Sequence, residues 1–576
     1  MKIQQTIEMN VDVRKVFFKA ESKYEPSFKK ARTFRKKFKK LAGFPQNTLE
    51  NDVTMKVDKN WQLILAERFV ERVERMYIYQ AEEIRHVDAE AERQGLSAFT
   101  LMENAGRGLF EKMTPLIAPD MTIGILSGKG NNGGDGIVLA RYLKKAGFRA
   151  TLMFPLGEPS SDVAKAHLDH YLHQGYEVDA WDEAKTFDVI VDAILGIGTR
   201  LPLRDDVKRV IRWANGQDAL RIAIDVPTGL LSDRGHVETT DEKLHINERK
   251  KSIPAANVFL ADYTFSLHGA KPSAFLHPAS AFYGKLDVVD IGVKQTSRVK
   301  VTERKEVVRT LPVRNPAGHK GTFGASLIVA GSDEMPGSVT LSAIGAIRSG
   351  TGRLIIATTE RAIPVIASHV PEATFLNNGL KRIAEGEIPE KLAAVGIGPG
   401  LVDARLTNEA LDRLFQLGVP VVVDAGALMR RDSWEAAGPV VLTPHPGEFS
   451  RLTGLSVEEI ENNRIELAGE FAEKHGVFVV LKGKHSVIAF PNGKVFINPT
   501  GNTGLAKGGS GDVLTGILVS FLATHDDVER AVVNAVFVHG LCADHWAKHY
   551  SEAAMTASDF HRLLPVVLKQ LEAENE

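Results

Sequence analysis

Apolar runs alternate with amphipathic stretches along the chain from about residue 76 onward. The first half contains helix patterns at 163–173 and 207–214 and strand patterns at 121–126, 150–154, 189–193 and 220–226. Strands that are apolar at nearly every position are typical of parallel sheets covered on both faces. This alternation of strand and helix patterns predicts a doubly wound α/β domain with three αβα layers.

A second series of strand patterns begins beyond residue 305 and ends in a long apolar helix after Gly511. Its predicted strands are 325–330, 353–358, 392–397, 419–424, 440–443, 477–481, 486–490 and 494–498. The two series share no motif, which argues against an internal duplication. A charged stretch that starts at Arg298 indicates a linker. We therefore predict two different doubly wound domains, at 76–297 and 305–576, joined by a linker at 298–304.

The composition is that of an ordinary globular protein, with 44% hydrophobic and 25% charged residues among 576, which excludes wholesale disorder. The formal net charge is −1, so overall charge gives no argument for binding DNA or an anionic membrane. Cys542 is the only cysteine, which excludes intramolecular disulfides and cysteine-based metal sites and fits a reducing compartment. No apolar run reaches the roughly 18 residues of a spanning helix, and no signal-peptide pattern is found. We therefore expect a soluble, cytoplasmic protein with no membrane partner.

Residues 1–75 form a basic extension ahead of the first domain pattern. Lysine and arginine outnumber acidic residues there and are concentrated in one run without acids: Lys29, Lys30, Arg32, Arg35, Lys36, Lys37, Lys39 and Lys40. Such a run can contact RNA or act as a targeting signal. Glu8 and Asp12 argue against a transit peptide. The interpretation that we favour is a solvated, poorly ordered extension without RNA contact.

A glycine-rich segment lies between a predicted strand and a predicted helix and reads Ser127-Gly-Lys-Gly-Asn-Asn-Gly-Gly-Asp-Gly136. Glycines allow backbone N–H groups at a helix N-terminus to approach a phosphate. Asn131, Asn132 and Asp135 add side-chain oxygens, which suit a hard monovalent cation or ribose hydroxyls. The alternative is a tight strand-to-helix turn that binds no ligand.

Two later strand ends carry an aspartate followed by a glycine-containing turn. One reads Asp192-Ala-Ile-Leu-Gly-Ile-Gly198, and the other reads Asp225-Val-Pro-Thr-Gly229. Because ligands of open α/β sheets bind beyond the carboxyl ends of the strands, we predict that these segments meet at one pocket. Thr228 offers that pocket a further hydroxyl oxygen. The alternative for each aspartate is a helix cap.

The strongest motif is a long glycine-rich segment that reads Asn498-Pro-Thr-Gly-Asn-Thr-Gly-Leu-Ala-Lys-Gly-Gly-Ser-Gly-Asp-Val-Leu-Thr-Gly516. Its residues 508–511 are predicted to form a backbone nest at the start of a helix, with N–H groups directed at phosphate charge. Asp512, in the first helical turn, is placed to accept a proton from a substrate hydroxyl during phosphoryl transfer. The alternative is an acidic residue that only complements the helix dipole.

Four segments of the first half, at 101–106, 128–136, 192–198 and 225–229, together resemble the N-terminal domain of the bifunctional NAD(P)H-hydrate repair enzymes. The resemblance spans about residues 76–295. It implies a Rossmann-like domain that interconverts the R and S forms of hydrated NADH and NADPH.

The same resemblance implies roles for individual residues. Asp225 is implied to contact the reacting nicotinamide as a catalytic carboxylate, and Asn132, Asp192 and Thr228 are implied to bind potassium. The residues implied to bind the hydrate are Asn131, Asn132, Gly133, Gly134, Asp135, Gly196, Ile197, Gly198, Thr199, Arg200, Leu201, Pro202 and Asp225. The family usually has serine in place of Thr228, and threonine keeps the oxygen while adding a methyl group.

The 498–516 segment resembles the ribokinase-like superfamily, in which a Gly-x-Gly-Asp sequence forms an anion hole and supplies the catalytic aspartate. Further matching pieces lie at 315–324, 330–332, 396–400, 442–448 and 481–483. They narrow the resemblance to the ADP-dependent NAD(P)H-hydrate dehydratases, over about residues 305–570. That family phosphorylates the hydroxyl of the hydrate with ADP, or with ATP in eukaryotic relatives, and then expels phosphate to restore the nicotinamide double bond. ADP and Mg²⁺ are therefore the implied co-substrate and metal ion.

The second resemblance also assigns residues. Asp512 is implied to be the catalytic base and Gly511 to lie against the nucleotide. The implied adenine-nucleotide loop is Lys482, Gly483, Lys484, His485 and Ser486, and the implied hydrate pocket is Ser338, Gly400, His445 and Asp512. Three positions depart from the family pattern: Gly426 replaces an aspartate, Ser510 a common threonine and Ser338 a common alanine. We expect Gly426 to affect catalytic efficiency and not the class of reaction.

The leading hypothesis is a two-domain enzyme, an isomerase followed by a lyase, that repairs hydrated NADH and NADPH. One alternative is a ribokinase-like small-molecule kinase, which leaves the Asn-Asn-Gly-Gly-Asp segment unexplained. Another is a non-catalytic nucleotide-sensing protein, against which the retention of Asp225 and Asp512 argues. The sequence leaves open a homo-oligomeric state and the preference for NADH or NADPH.

Overall fold

The structure is a computed structural model that describes residues 76–239 and 256–575, all within one compact unit at Arg75–Glu576. The extension predicted at 1–75 lies outside the described residues, so the interpretation of its basic run stays a prediction. Among the helices of the described ranges, none combines the length and the apolar character that crossing a membrane requires.

The described ranges contain strands that we number in chain order. They are β1 Tyr77–Ile78, β2 Thr122–Ser127, β3 Arg149–Met153, β4 Val189–Ala193, β5 Leu220–Ile224, β6 Tyr263–Leu267, β7 Lys285–Val289, β8 Val299–Val301, β9 Ala325–Val329, β10 Arg353–Thr358, β11 Thr374–Asn377, β12 Ala394–Ile397, β13 Val421–Val423, β14 Val440–Leu442, β15 Phe478–Leu481, β16 Val487–Ala489 and β17 Val495–Ile497. The α-helices are Ala81–Arg93, Ala98–Met113, Asn131–Lys145, Asp162–His173, Asp205–Gly216, Arg304–Thr310, Pro336–Arg348, Ala362–His369, Gly379–Ala384, Ala404–Leu414, Pro446–Thr453, Val457–Asn462, Arg464–His475, Ser510–Thr524, Val528–Ala547 and Phe560–Asn575.

The first half is built on six parallel strands in the order β3-β2-β4-β5-β6-β7. Adjacent residues of one strand pack on opposite faces. Ile125 of β2 packs in a core with Leu109 from one helix layer, whereas Leu126 packs in a core with Val210 from the other. Helices therefore cover both faces, as predicted. The chain runs from β2 outward to β3 and returns to β4 on the other side of β2, so the switch point of the sheet lies between the ends of β2 and β4.

Two strands of this sheet, β6 and β7, were not predicted from the sequence. β6 places two hydroxyl side chains in the interior, where Thr264 Oγ1 donates to Tyr283 O at 2.7 Å and Ser266 Oγ donates to Asp225 O at 2.9 Å. β7 forms the edge of the sheet, and most of its residues are only half-buried or exposed. Polar interior positions and an edge location both weaken the apolar pattern on which the strand predictions depended.

The second half is built on a larger sheet in the order β1-β8-β17-β16-β15-β14-β13-β12-β9-β10-β11. The strands from β15 to β11 in this order are parallel, while β16 is antiparallel to both of its neighbours. Val422 of β13 packs in a core with Ile517 of the helix Ser510–Thr524, and Val421 packs on the opposite face with Phe449. This domain is therefore also a three-layer αβα structure. Its switch point lies between β9 and β12.

The stretch at 298–304, which we predicted to be a linker, contains β8. This strand pairs with β17 of the second half, and β1 from the start of the first half pairs with β8 in turn. The charge that suggested a linker belongs to β8 itself, where Lys300 Nζ donates to Glu306 Oε1 at 2.9 Å and lies over the Phe496 ring. The two halves of the chain are thus joined through one sheet.

Two candidate active sites

The glycine-rich segment of the first half leads from the end of β2 into the helix Asn131–Lys145, at the switch point of the sheet. Gly128 donates its backbone N–H to Ala193 O at 2.9 Å, and a Cβ on Gly128 would lie 1.9 Å from Ile194 O. The loop can approach the end of β4 because residue 128 has no side chain. This contact brings two of the predicted site segments together.

Asp192, at the end of β4, is fully buried and accepts three hydrogen bonds. The Thr228 backbone N–H donates to Oδ2 at 2.8 Å, the Thr228 hydroxyl donates to Oδ1 at 2.7 Å, and the Ile194 N–H donates to Oδ1 at 3.1 Å. Burial raises the pKa of Asp192 to about 6, although these hydrogen bonds oppose the shift. The ends of β4 and β5, which we predicted to meet, are joined through this carboxylate.

Asn132 adds a further oxygen to the pocket formed by Asp192 and Thr228. Its amide Nδ2 donates to Leu195 O at 3.1 Å, while the Leu195 N–H donates to Thr228 Oγ1 at 3.0 Å. The amide oxygen of Asn132 is buried and has no hydrogen-bond partner among the described residues. A buried, unpartnered oxygen beside a carboxylate, a hydroxyl and a carbonyl fits a monovalent cation. The structure therefore brings together the three residues predicted to bind potassium.

The other residues predicted to bind the hydrate lie around this pocket. A Cβ on Gly196 would lie 3.3 Å from Asn132 Cγ, so the 196–202 loop starts beside the amide, and part of the loop is exposed. In the first turn of the helix, Asn131 is exposed whereas Gly133, Gly134 and Asp135 are buried.

Asp225 follows β5 and is held by the neighbouring strand β6. Its backbone φ is 67°, in the left-handed region, and its backbone N–H donates to Phe265 O at 2.8 Å. Oδ1 of the side chain accepts hydrogen bonds from the Leu267 N–H, at 3.1 Å, and from Lys271 Nζ. A left-handed conformation outside glycine is uncommon and is concentrated at functional sites, which agrees with the catalytic role predicted for Asp225.

Lys271 is a site residue that sequence reasoning missed. Its side chain is 1% exposed and forms a buried ion pair with Asp225. Residues 263–284 contain no other Asp, Glu, Lys or Arg, and a single lysine in such an uncharged run was the available signal.

Two further carboxyl groups lie close to this ion pair. Burial raises the pKa of Asp135 well above its usual range, and the charges of Asp225 and Asp88 act in the same direction. Burial also raises the pKa of Asp88, with the charge of Asp225 contributing and that of Lys271 opposing. A carboxylate paired with a lysine, beside carboxyl groups that favour the protonated form, is an arrangement suited to moving a proton.

The second candidate site lies at the N-terminus of the helix Ser510–Thr524. Gly509 precedes this helix with a φ of 91°, and Asp512 lies in its first turn. Burial raises the pKa of Asp512 to about 6, helped by the charges of Asp424 and Glu448 and opposed by a hydrogen bond from Ser338 and the charge of Lys482. Asp512 is therefore a carboxylate that can accept a proton near neutral pH beside a set of free helix N–H groups.

Three of the four residues predicted for the hydrate pocket converge at this point. Ser338 interacts with Asp512, and a Cβ on Gly400 would lie 3.0 Å from Ser338 Cβ. His445, the fourth, caps the helix Pro446–Thr453, because its Nδ1 accepts the Gly447 N–H at 3.0 Å. Its backbone N–H donates to Glu448 Oε2 at 2.8 Å, which links His445 to the charged groups around Asp512.

A charged network surrounds the predicted nucleotide site. Lys482 Nζ donates to Asp424 Oδ1 at 2.9 Å and lies 3.8 Å from Glu448 Oε2, and Thr515 Oγ1 donates to Asp424 Oδ2 at 2.8 Å. Burial opposes the charge of Lys482, yet Asp424 and Glu448 raise its pKa overall. A Cβ on Gly511 would lie 3.3 Å from Lys482 Nζ, so Gly511 adjoins this lysine.

Arg464 fixes the predicted nucleotide loop and was also missed from sequence. It is 4% exposed, and its guanidinium donates to Leu481 O at 2.9 Å, to Lys482 O at 2.8 Å and to Lys484 O at 3.3 Å. The loop also contacts the first half of the chain, because His485 Nδ1 lies 3.3 Å from Phe275 O.

Gly426, the departure from the family's usual aspartate, lies against the backbone of residue 401. A Cβ at position 426 would come within 2.2 Å of Leu401 O. The backbone can take this path because residue 426 has no side chain. Asp424 keeps its contacts with Lys482 and Thr515.

These features define the chain as a two-domain α/β protein with an ion-paired carboxylate in one half and a half-buried aspartate at a helix N-terminus in the other. A family model described as NAD(P)H-hydrate dehydratase matches residues 326–565, and one described as YjeF-related protein N-terminus matches residues 98–273. A relative from Thermofilum pendens, a bifunctional NAD(P)H-hydrate repair enzyme, is 34% identical over 533 residues, 87% of this chain and 98% of the relative. The chain belongs to the family of bifunctional NAD(P)H-hydrate repair enzymes.

Relatives of the second half alone are also known. The ADP-dependent (S)-NAD(P)H-hydrate dehydratase of Bacillus subtilis is 46% identical over 268 residues, 46% of this chain and 97% of the relative. A crystal structure of the ADP/ATP-dependent dehydratase from that organism, grown with ATP and Mg²⁺, shares 45% identity over 47% of this chain and 98% of its own, with a TM-score of 0.46. The predictions of family, α/β fold class and enzyme class are confirmed.

Proposed function

We propose that the half at 76–297 interconverts the R and S forms of hydrated NADH and NADPH, and that the half at 305–576 dehydrates the S form with ADP. The observation that carries the proposal is the position of Asp512, which lies at a helix N-terminus together with Ser338 and Lys482. Both activities act on one damaged cofactor, which gives a reason for their presence in one chain.

In the dehydratase half, Asp512 accepts the proton of the hydrate's hydroxyl while the hydroxyl oxygen takes a phosphoryl group from the nucleotide. The N–H groups of the helix N-terminus stabilise the charge of the transferring group. The lone pair of the ring nitrogen then expels phosphate, and loss of a proton from the adjacent ring carbon forms the double bond. Phosphorylation is needed because phosphate is a far better leaving group than hydroxide.

Mg²⁺ would enter this site on the phosphates of the nucleotide, whose negative charge it neutralises when bound. Both oxygens of Asp424 already accept hydrogen bonds from Lys482 and Thr515. This carboxylate therefore holds Lys482 beside Gly511 at the helix N-terminus.

The first prediction concerns pH. Because the raised pKa of Asp512 lies at about 6, the base is protonated below that pH, and kcat/KM for dehydration is expected to fall about tenfold per pH unit below pH 6. Initial rates with pure S hydrate and ADP across pH 4.5–8.5 measure this acid limb of the pH profile. An acid limb centred near pH 4 would contradict the assignment.

In the epimerase half, the carbinol carbon must lose its configuration and regain it on the other face. Either the hydroxyl departs to leave an iminium ion, or the ring opens and closes again. Asp225 moves the proton in either route, and its negative charge stabilises an iminium. We also propose that Asn132, Asp192 and Thr228 bind potassium, which would supply positive charge and fix the three loops at the switch point.

The second prediction tests the potassium site. Replacing Asn132 by leucine removes the buried amide oxygen. Because the cation then loses one oxygen ligand, we expect the half-saturating K⁺ concentration for epimerisation to rise at least about tenfold. Wild-type and N132L proteins are titrated with KCl at constant ionic strength, with choline as the replacement cation. Dehydration of the S form is the folding control and should be unchanged. Epimerisation that needs no K⁺ in the wild type would remove the proposal.

One assay tests the overall function. The protein is incubated with mixed R and S hydrate, with and without ADP, and the reduced-nicotinamide absorbance is followed. ADP-dependent conversion of both epimers to the reduced cofactor supports both activities. Conversion of the S form alone would mean that the first half is inactive as an epimerase. No recovery, with phosphorylation of another alcohol, would favour the alternative of a small-molecule kinase.

A cytoplasmic location is proposed as well, supported by the single cysteine, Cys542, which is buried and unpaired. The proposed partners are small molecules only, the hydrates and ADP. The proposed domain limits stay those given by the sequence pattern, with β8 forming part of the sheet of the second half.

A further inference from the structure

The ammonium group of Lys271 is one of the most deeply buried charges of the first half. Its Nζ donates three hydrogen bonds, to Asp225 Oδ1, to Leu267 O at 2.9 Å and to Gly269 O at 2.9 Å. An ammonium has three protons, so all of its donors are in use. Lys271 is therefore held as a fixed cation and has no free proton or lone pair for a substrate.

The contacts of Asp225 are divided unequally between its two oxygens. Oδ1 accepts from Lys271 and from the Leu267 N–H. Oδ2 accepts no hydrogen bond from any residue in the described ranges. The ion pair therefore fixes the plane of the carboxylate from one side and leaves the other oxygen for a substrate proton.

Several titratable groups face this ion pair from different elements: Asp88, Asp135, His268 and Tyr283. Burial raises the pKa of both aspartates, and burial with the charge of Lys271 lowers the pKa of His268 to about 4. Burial also raises the pKa of the Tyr283 phenol. Lys271 is thus the cation in direct contact with Asp225. The other titratable groups of the pocket are shifted by burial toward their neutral forms.

We propose that Lys271 is a positioning residue of the epimerase, whose ion pair holds Oδ1 of Asp225 and leaves Oδ2 as the oxygen that accepts the substrate proton. The proposal rests on the proposed role of Asp225. It assigns to the lysine no contact with substrate and no part in bond making. Its effect is on which carboxyl group of the pocket is the base, because a cation within hydrogen-bonding distance favours the charged form of the carboxylate that it touches.

The test uses the full chain with Lys271 replaced by methionine, which keeps most of the length of the side chain and removes the charge. We expect kcat/KM for epimerisation at pH 7 to fall about 100-fold and the acid limb of its pH profile to move up by at least about one pH unit. A carboxylate without its cation holds a proton to higher pH, which gives the direction of the shift. Lys271→Arg keeps the charge, so its acid limb is expected to stay in place even if its rate falls.

Dehydration of the S form by each variant is measured as the control for folding. If the acid limb of the pH profile stayed at the same pH in Lys271→Met and only the rate fell, Lys271 would have a structural role and the proposal would be overturned. A shift in Lys271→Arg equal to that in Lys271→Met would also overturn it. Wild-type epimerisation by an Asp225→Asn variant would refute the catalytic role of Asp225, and absence of epimerisation by the wild-type protein would refute the proposed function. An inactive Asp225→Asn beside a normal Lys271→Met refutes only the role of the lysine.

Discussion

Replacing Asp512 by asparagine is expected to lower the rate of ADP-dependent dehydration about 1,000-fold and to leave epimerisation unchanged. The expected size is that of losing a general base whose pKa is matched to neutral pH. The substitution keeps the volume and the hydrogen bond with Ser338, while the amide cannot accept the hydroxyl proton. Single-turnover rates with S hydrate, ADP and Mg²⁺ measure the loss directly.

Asp526 offers a matched control for this variant. It is an exposed aspartate just beyond the C-terminal end of the helix Ser510–Thr524, so Asp526→Asn removes the same charge at the opposite end of that helix. Wild-type dehydration by Asp526→Asn and inactivity of Asp512→Asn would assign the effect to the base. If Asp512→Asn kept more than a tenth of the wild-type rate, another group would have to take the proton.

The fold was predictable where strands are apolar throughout and buried on both faces. The bounds of β4 and β10 were predicted to the residue, and the start of β9 as well. The apolar pattern did not predict β6, whose interior hydroxyls donate to backbone carbonyls, or β8, whose central lysine forms an ion pair. In both cases the pairing partner, which is distant in sequence, determines that the segment is a strand.

The candidate sites divide in the same way. Asn132 and Asp512 each lie in the first turn of a helix that begins in a glycine-rich segment. Such segments are recognisable from sequence, and in an open sheet the ligand site forms where they follow the strands. Lys271 and Arg464 lie outside any such motif, and their roles arise from hydrogen bonds to residues that the fold brings near. A buried cation is recognised only when its acceptors are known.

The largest effect on the first half is expected from replacing Asp225 by asparagine. We expect R-to-S conversion to fall at least about 1,000-fold, because the amide can neither accept the proton nor stabilise an iminium. Asparagine is the appropriate substitution because it tolerates the left-handed φ of 67° better than alanine would. Conversion is followed by separating the epimers at intervals, and the exposed Asp169 in the same half gives the control variant Asp169→Asn.

The same substitution leaves the Lys271 ammonium buried beside a neutral amide. Breaking a buried ion pair by removing one partner costs about 3–5 kcal/mol, so Asp225→Asn is also expected to lower the stability of the first half. The double variant Asp225→Asn with Lys271→Met removes both charges and is expected to recover much of that stability while staying inactive. Recovery of stability without activity assigns the catalytic loss to the missing carboxylate. Recovery of activity in the double variant would show instead that Asp225 only balances the lysine, and the base would have to be sought at Asp135 or Asp88.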